Sequence, residues 1–316
     1  MTSAPRLTFF CELEVGPLEA LFAAPAVLEH LRALRAGVSL GLIELSAERA
    51  AVVRRLNEAG VPVVAWLLLP KAEGYWFNQG NVVQATARYG HFQEWSAAHG
   101  LRWDGVGLDI EPDIHELQRA LRSRWHLVPA LLPRLGRGGL LKASRAAYGA
   151  LVERIRADGY RVDSYQLPFI VDERLAGSSV LERLTGVLDL PVDREVLMLY
   201  TSLVRPHGPG LLASYGPHAR SIGLGITGGG VDVPEILAVP SLDWEELSRD
   251  LRLARRWTED LHLFSLEGCV QQGFLERLRD FDWTRTEEPP LPLDRRLAGL
   301  RWGVGRLLRA STWLLR

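Results

Sequence analysis

The chain has 316 residues, and its 37 basic and 38 acidic residues give a formal net charge of -1. This balance gives no electrostatic case for a nucleic-acid partner, and 47% hydrophobic with 24% charged residues excludes a wholly disordered chain. Cys11 and Cys269 are the two cysteines, too few for a disulfide framework or a cysteine-based zinc site.

Short β-rich segments alternate with helical patterns along the whole chain. The predicted strands are Leu7–Glu14, Val38–Leu45, Val61–Pro70, Gly105–Glu111, Arg161–Ile170, Val196–Ser202, Ile222–Thr227 and Leu261–Glu267. Eight repeats in a chain of this length predict a single (β/α)₈ TIM barrel of class α/β. An open doubly wound sheet is the alternative fold. Its dinucleotide-binding form is disfavoured, because no Gly-x-Gly-x-x-Gly motif follows the first strand.

Two stretches are longer than a barrel repeat requires. Asp113–Gly159, between the fourth and fifth strands, predicts two helices joined by a turn at Arg134–Gly139 and is a candidate lid. The chain after residue 286 begins with a Glu-Glu-Pro-Pro linker pattern and ends in a basic amphipathic helix pattern. We therefore expect a barrel over 1–286, followed over 287–316 by a linker and a helix docked on the barrel. Contact of this helix with a membrane surface is the less favoured alternative.

Targeting signals are missing from the sequence. No apolar run approaches the roughly 20 residues that a membrane-spanning helix needs. The N-terminus leads directly into the first predicted strand, without a charged leader or a small-residue cleavage site. The sequence therefore predicts a cytoplasmic protein.

The segment from Asp104 to Glu111 reads DGVGLDIE and contains the most informative pattern. Alternate side chains of a strand share a face, so Gly105, Gly107, Asp109 and Glu111 are expected to face the barrel axis. Barrel enzymes place their chemistry at the C-terminal ends of the strands. Two carboxyl groups close together cannot both ionise at low cost, so one pKa should rise, which suits protonation of a glycosidic oxygen. Salt bridges to arginines are the structural alternative.

This segment resembles the strand-four signature of family-18 glycoside hydrolases, the chitinase and endo-N-acetylglucosaminidase group. The signature is Asp-x-x-Asp-x-Asp-x-Glu, and Gly107 stands where its second Asp belongs. Two weaker similarities follow in the right order. Residues 198–201, MLYT, resemble the family's Met-x-Tyr-Asp with Thr201 replacing the Asp, and residues 264–268, FSLEG, resemble its Trp-x-Leu-Asp segment with Phe264 replacing the stacking Trp.

The resemblance implies a role for three residues. Glu111 would be the general acid/base, with Asp109 orienting a substrate N-acetyl group that attacks the anomeric carbon. Tyr200 would donate a hydrogen bond to the oxygen of that acetyl group. The departures at Gly107 and Thr201 leave open a different acid pair, a non-acetylated substrate or a barrel without catalysis.

Further candidate residues lie near other strand ends. Glu12, Glu44 and Glu267 could converge with the strand-four pair, either to supply a second catalytic carboxylate or to form a Mg²⁺ or Ca²⁺ site. The alternative is that they form salt bridges with arginines such as Arg174 or Arg205. Gln166 could bind a sugar hydroxyl or be a buried amide. Tyr75, Trp76 and Phe77 form either a stacking platform for sugar rings or a loop folded onto the protein. Trp66, within the third predicted strand, is expected in the core.

The favoured hypothesis is a glycoside hydrolase or transglycosylase acting on an oligo- or polysaccharide. The proposed catalytic residues are Glu111, Asp109 and Tyr200, and the proposed substrate-binding residues are Glu12, Glu44, Tyr75, Trp76, Gln166 and Glu267. No cofactor and no metal are expected. The alternatives are a non-catalytic carbohydrate-binding barrel and a metal-dependent barrel enzyme using the Glu12, Glu44 and Glu267 cluster.

Overall fold

A closed barrel of eight parallel strands forms the centre of the protein. The computed structural model describes residues 4–122, 132–136, 138–230, 239–287 and 295–314. The strands pair in sequence order and β1 pairs with β8. They are β1 Arg6–Cys11, β2 Gly37–Leu42, β3 Val63–Leu67, β4 Gly105–Asp109, β5 Val162–Gln166, β6 Arg194–Met198, β7 Ser221–Gly225 and β8 Asp260–Phe264. The predicted (β/α)₈ barrel is confirmed, and the open sheet is excluded.

Helices surround this barrel. Those described are α1 Val15–Ala23, α2 Pro25–Ala33, α3 Ala47–Glu58, α4 Val82–His99, α5 Ile114–Arg122, α6 Gly138–Ala157, α7 Phe169–Ala176, α8 Val180–Thr185, α9 Gly208–Tyr215, α10 Trp244–Ala254, α11 Leu266–Gln271, α12 Phe274–Arg279 and α13 Arg295–Leu314. Helices α5 and α6 lie in the long β4–β5 connection, and a 3₁₀ helix, Leu132–Gly136, overlaps the predicted turn; residues 123–131 lie outside the described residues. None of the described helices is both long and apolar enough to cross a membrane.

Strand alternation divides the buried residues into an outer and an inner set. Leu7 and Phe9 of β1 belong to the large cluster that packs between strands and helices. Phe10 belongs to a second cluster, with Trp66 of β3 and Tyr165 of β5, inside the barrel. The two clusters follow from the two-residue period of the strands, because successive side chains point to opposite faces.

Ion pairs fill the N-terminal end of the barrel. Arg194 of β6 pairs with Asp163 of β5 and lies 3.5 Å from Asp260 of β8. Arg6 of β1 also pairs with Asp260, at 2.6 Å. Buried charges require partners of opposite sign, and these residues provide them for one another. This end of a barrel serves stability, whereas barrel enzymes have their active sites at the opposite end.

The C-terminal helix α13 contacts the barrel's outer helices. Arg301 donates hydrogen bonds of 2.9 and 2.7 Å to Asp172 of α7, and its guanidinium lies 3.9 Å from the centre of the Tyr215 ring of α9. Leu308 is buried. Most of the predicted linker, residues 288–294, and the last two residues of the chain lie outside the described residues, as does Arg137 in the predicted turn.

Candidate active site

A cavity of about 360 Å³ opens at the C-terminal ends of the strands. Its polar lining residues are Glu12, Asp109, Glu111, Tyr165 and Tyr200. Its described apolar lining consists of Phe10, Trp66, Trp76, Pro112, Leu117, Leu167, Met198, Leu203, Ile226, Val239 and Phe264, with Gly229 and Gly230. A cavity with an apolar wall and a few converging polar groups is the usual form of a small-molecule site. Pro112 and Leu117 lie at the start of the long β4–β5 connection, so the segment expected to be a lid contributes to the cavity wall.

The loop after β3 fixes the end of β4. Phe77 forms a parallel bridge with Ile110. Its N–H donates to the carbonyl of Asp109 at 2.9 Å, and its carbonyl accepts from the N–H of Glu111 at 3.1 Å. The strand direction is thereby maintained for two residues beyond Asp109, which brings Asp109 and Glu111 to the same cavity. Alternation along β4 predicts this placement.

Asp109 is the more deeply enclosed carboxyl group of the pair. Its side chain is 2% exposed, and Oδ2 accepts a hydrogen bond of 3.1 Å from Nε1 of Trp66. Burial raises the pKa of Asp109 well above its usual range, and the charges of Glu111 and Glu12 raise it further, against the hydrogen bond from Trp66. The ionised form of Asp109 is therefore disfavoured.

Glu111 is the carboxyl group that titrates near neutrality. Burial raises the pKa of Glu111 to about 7, while its hydrogen bond with Asp109 lowers it. The sequence predicts a raised pKa for one member of this pair. In the structure burial raises the pKa of both carboxyl groups, and Asp109, the more buried residue, also faces the charges of Glu111 and Glu12.

Tyr165 occupies the space where the family-18 signature has its second Asp. A Cβ atom on Gly107 would lie 2.4 Å from the hydroxyl oxygen of Tyr165, and that hydroxyl shares a hydrogen bond of 2.5 Å with Ser39 of β2. Residue 107 must therefore be glycine in this barrel. Trp66 is buried in the core, as the sequence predicts. The role of Tyr165 is not predicted from the sequence, although strand alternation with the register of β4 and β5 places its side chain inside the barrel.

The three consecutive aromatic residues after β3 have different roles. Trp76 lines the cavity. The Tyr75 hydroxyl donates a hydrogen bond of 2.6 Å to Oε1 of Glu12, and Phe77 is buried against Tyr148, with ring centres 6.3 Å apart. The predicted platform is thus reduced to Trp76, because the bridge to β4 turns Phe77 into the core. Tyr75 orients a carboxyl group and does not line the cavity.

The three outlying glutamates do not converge as predicted. Glu44 accepts hydrogen bonds of 2.6 and 2.9 Å from Arg49, a fully buried arginine of α3, and does not line the cavity. Glu12 lines the cavity, and its N–H donates to Oε1 of Glu267 at 3.3 Å. Glu267 lies behind that wall. Within the described parts of the chain, no group of three or more His, Cys, Asp or Glu side chains is arranged to hold a metal ion.

The arginines expected to pair with these glutamates have other partners. Arg174 pairs with Asp189 at 2.5 Å and also with Glu195. Arg205 pairs with Glu246 at 2.6 Å. Arg49 was not considered as a partner from the sequence, although its spacing of five residues from Glu44 places it in the first turn of the next helix.

Gln166 and Thr201 both point away from the cavity. The Gln166 amide donates to the carbonyl of Leu188 at 3.1 Å, on the outside of β5, so Gln166 does not line the cavity and has the place of a buried amide, the alternative that the sequence left open. Thr201 donates to Asp250 of α10. Tyr200 does line the cavity, and burial with the nearby carboxyl groups of Glu111 and Asp109 raises its pKa. Tyr200 therefore remains a protonated hydrogen-bond donor.

Replacing Glu267 by glutamine should stabilise the protein at alkaline pH. Burial raises the pKa of Glu267 to about 7, against hydrogen bonds from its own backbone, Ser265 and Glu12, and Oε2 has no hydrogen-bond partner among the described residues. In the unfolded chain the pKa is about 4.3. The wild type therefore loses stability as pH rises from that value through 7, and Glu267→Gln does not share this loss.

Thermal unfolding at pH 5 and pH 8 measures this effect. The Tm of Glu267→Gln should exceed that of the wild type at pH 8, with a smaller difference at pH 5. Glu44→Gln is the matched control, because it removes the charged partner of buried Arg49 and should lower Tm at both pH values. An equal loss of Tm for Glu267→Gln at both pH values would contradict the assigned ionisation.

Comparisons with known proteins give no family for this chain. The sequence matches no family model and no curated protein. Among solved structures, the glycoside hydrolase domain of PgaB (BpsB) from Bordetella bronchiseptica is similar with a TM-score of 0.49 and 11% identity, covering 90% of this chain and 100% of that one. A xylose isomerase-like TIM barrel protein from Mycobacterium smegmatis, in complex with magnesium, has a TM-score of 0.46 and 13% identity, covering 88% and 97%. D-allulose 3-epimerase from Methylomonas sp. has a TM-score of 0.44 and 12% identity, covering 87% and 91%.

Proposed function

We propose that the protein is a glycoside hydrolase or transglycosylase acting on an oligo- or polysaccharide, with Glu111 as general acid/base. The observation that carries the proposal is the pair at the end of β4. Glu111 lines the cavity with a pKa raised to about 7, beside Asp109, whose pKa burial also raises. A general acid works best when its pKa is close to the working pH, and two carboxyl groups with separated pKa values are the usual equipment of glycosidases.

The pair can deliver a proton to the leaving oxygen and take one back. Protonated Glu111 donates its proton to the glycosidic oxygen as the bond from that oxygen to the anomeric carbon breaks. The Glu111 carboxylate then takes a proton from the water, or in transglycosylation from the sugar hydroxyl, whose oxygen forms the new bond to the anomeric carbon. Both steps return Glu111 to its starting state.

Two other polar side chains line the cavity, Glu12 and Tyr200. We assign Glu12 to stabilising the positive charge of the transition state and Tyr200 to binding the substrate. Glu12 is held by the Tyr75 hydroxyl at 2.6 Å, so its carboxyl group is fixed at the cavity wall. A carboxylate there stabilises an oxocarbenium-like transition state. Tyr200 is a protonated donor close to Asp109 and Glu111, which suits a hydrogen bond to an N-acetyl oxygen. Trp66, Trp76 and Phe264 line the cavity, and aromatic rings in this position suit stacking on sugars.

Release of new reducing ends tests the proposal. Purified protein is incubated with chitooligosaccharides and with a panel of other oligosaccharides, and reducing ends are counted against Glu111→Gln. We expect the wild type to release reducing ends or transfer products from at least one sugar, and Glu111→Gln to release far fewer. Equal release by both proteins would overturn the assignment of Glu111.

A carbohydrate-binding barrel without catalysis is the second candidate. It is favoured by the two departures from the family signature, since Tyr165 fills the space beside Gly107 and Thr201 is bonded to Asp250. Binding of an oligosaccharide by calorimetry without any turnover would support this candidate over the first. A metal-dependent enzyme using Glu12, Glu44 and Glu267 is not proposed, because Glu44 is turned toward Arg49.

Replacing Trp76 by alanine should raise KM more than it lowers kcat. Stacking on a ring stabilises the bound sugar in the ground state and in the transition state alike, so its loss weakens binding without changing the chemical barrier. Steady-state kinetics measure the two constants separately. Trp302→Ala, on exposed helix α13, is the matched control and should leave both unchanged. A large loss of kcat with unchanged KM in Trp76→Ala would contradict the stacking role.

A further inference from the structure

A second cavity, of about 310 Å³, lies beside the loop after β3, and none of its described lining residues belongs to the candidate active site. We call it the polar cavity. Trp76 of the loop lines the candidate active site, whereas Gln79 of the same loop lines the polar cavity. Helix α5 is divided in the same way, with Leu117 at the first cavity and Glu116 at the second. The two cavities are therefore neighbours, and the volume of the polar cavity is within the usual range for small-molecule sites, about 300–1,000 Å³.

The polar cavity contains a buried amide whose side-chain donor lacks a partner. Gln79 is 5% exposed, and its Nε2 has no hydrogen-bond partner in the described parts of the chain. Its backbone is fixed, because its N–H donates to the carbonyl of Gly186 at 2.7 Å and its carbonyl accepts from the Ser144 hydroxyl at 3.0 Å. Nε of Arg183 is a second buried donor of this kind. A buried donor without an acceptor costs free energy, so a ligand oxygen that accepts from Gln79 removes that cost.

Hydrogen-bond acceptors also line the polar cavity. Asp113 uses Oδ1 to accept from the N–H groups of His115 and Glu116 at the start of α5, at 2.9 and 3.2 Å. Its Oδ2 lies 2.7 Å from where a Cβ atom on Gly74 would be, and has no hydrogen bond to any described residue. The exposed carboxyl group of Glu73 lines the cavity as well. The cavity therefore offers both donors and acceptors to a ligand.

This mixture decides the class of ligand. A metal ion does not fit, because the described residues hold no suitable group of three or more His, Cys, Asp or Glu side chains, and Glu116 is paired with Arg134 at 2.8 Å. An anion would face the carboxyl groups of Glu73 and Asp113. A sugar fits, because each hydroxyl group both donates and accepts and can bridge a carboxylate and an amide. Leu140, which is 44% exposed and lines the cavity, offers an apolar contact to a sugar ring.

We propose that the polar cavity is a second carbohydrate-binding site, which holds a sugar unit outside the candidate active site. The inference rests on the proposed function in its class of ligand. Asp113 and Glu73 accept hydrogen bonds from the hydroxyl groups of this unit, and Gln79 and Arg183 donate to their oxygens. The unit is either a distal part of the chain that enters the candidate active site or a separate saccharide, and both make the same hydrogen bonds.

Calorimetric titration with chitohexaose, cellohexaose and maltohexaose tests the site. We expect at least one of them to bind the wild type and to bind Gln79→Leu about tenfold more weakly, because a lost hydrogen bond costs about one factor of ten. Leucine also removes the unpaired amide, so the Tm of the variant alone should equal or exceed that of the wild type. Glu73→Gln, at an exposed position, should weaken binding about fivefold, since hydrogen bonds to a charged group are roughly twice as strong as neutral ones.

Gln93→Leu is the matched control. The Gln93 amide donates to Asp158 at 2.6 Å, and the residue does not line the polar cavity, so this variant should bind sugar as the wild type does. The stoichiometry distinguishes the two sources of the sugar unit. One oligosaccharide per protein identifies a distal part of the substrate chain, and two identify a separate saccharide.

Binding and turnover fail separately. Unchanged affinity of both Gln79→Leu and Glu73→Gln, or no binding of any probe by the wild type, would overturn the second site. Binding that depends on Gln79, without release of reducing ends, would support the second site and contradict the proposed hydrolase. Turnover that is lost in Glu111→Gln, with binding that is independent of Gln79, would support the hydrolase and overturn the second site.

Discussion

Replacing Glu111 by glutamine should lower kcat on an unactivated glycoside by about 10²- to 10⁴-fold, the usual contribution of general acid/base catalysis. Glutamine keeps the shape and hydrogen-bonding capacity of the side chain but cannot supply the proton. The kcat/KM of the wild type should also fall as pH rises through about 7, because that is where the raised pKa of Glu111 lies and the acid form is lost. The variant should lack this limb of the profile.

Leaving-group dependence separates acid catalysis from a general loss of activity. A glycoside with a good leaving group needs less protonation, so Glu111→Gln should lose less kcat on it than on an oligosaccharide. Substrate binding by the variant should survive. Glu48→Gln, an exposed carboxyl group at the start of α3, is the control and should keep wild-type kinetics. Unchanged turnover of the natural sugar by Glu111→Gln would transfer the acid role to another carboxyl group, with Glu12 in the cavity as the next candidate.

Adding a single methyl group at Gly107 should destabilise the barrel by about 1–3 kcal/mol, the usual cost of overpacking a core. The new Cβ atom would lie 2.4 Å from the Tyr165 hydroxyl oxygen, and 2.8 and 2.9 Å from two ring carbons. Tyr165 cannot easily move aside, because it packs on Phe10 with ring centres 4.7 Å apart and shares a hydrogen bond with Ser39. Urea unfolding of Gly107→Ala measures the loss.

A double-mutant cycle identifies the clash as the cause. In a Tyr165→Leu background, Gly107→Ala should cost clearly less than in the wild type, because the ring atoms that it meets are gone. Gly149→Ala, in helix α6 with no atom near the new methyl group, is the control and should be slightly stabilising. Equal costs of Gly107→Ala in both backgrounds would show that Tyr165 does not determine the glycine.

The barrel and the strand-four pair are accessible from the sequence because both depend on local periodicity. Eight β-rich segments specify eight strands, and the two-residue alternation along β4 orients Asp109 and Glu111. The same rule applied to β5 places Tyr165 inside the barrel. Trp66, predicted in the core, is buried there on the inner side of β3.

Other features of the site depend on contacts between segments distant in sequence. Tyr75 reaches Glu12 across 63 residues of sequence, and no local pattern indicates that the loop after β3 will bridge to Ile110. The raised pKa values of Asp109 and Glu111 depend on burial, which alternation alone does not give. Glu44 is a different case, because its partner Arg49 is near in sequence and the pairing follows from the start of α3.

The position of a bound sugar in crystals of Glu111→Gln tests the central claim most directly. The crystals are soaked with the oligosaccharide that the reducing-end assay identifies, or with chitotetraose. The account predicts the bridging glycosidic oxygen about 2.6–3.2 Å from the side chain of residue 111, with a sugar ring stacked on Trp76. A sugar bound outside the cavity, or inside it with no glycosidic oxygen within reach of residue 111 directly or through one water, would contradict the account.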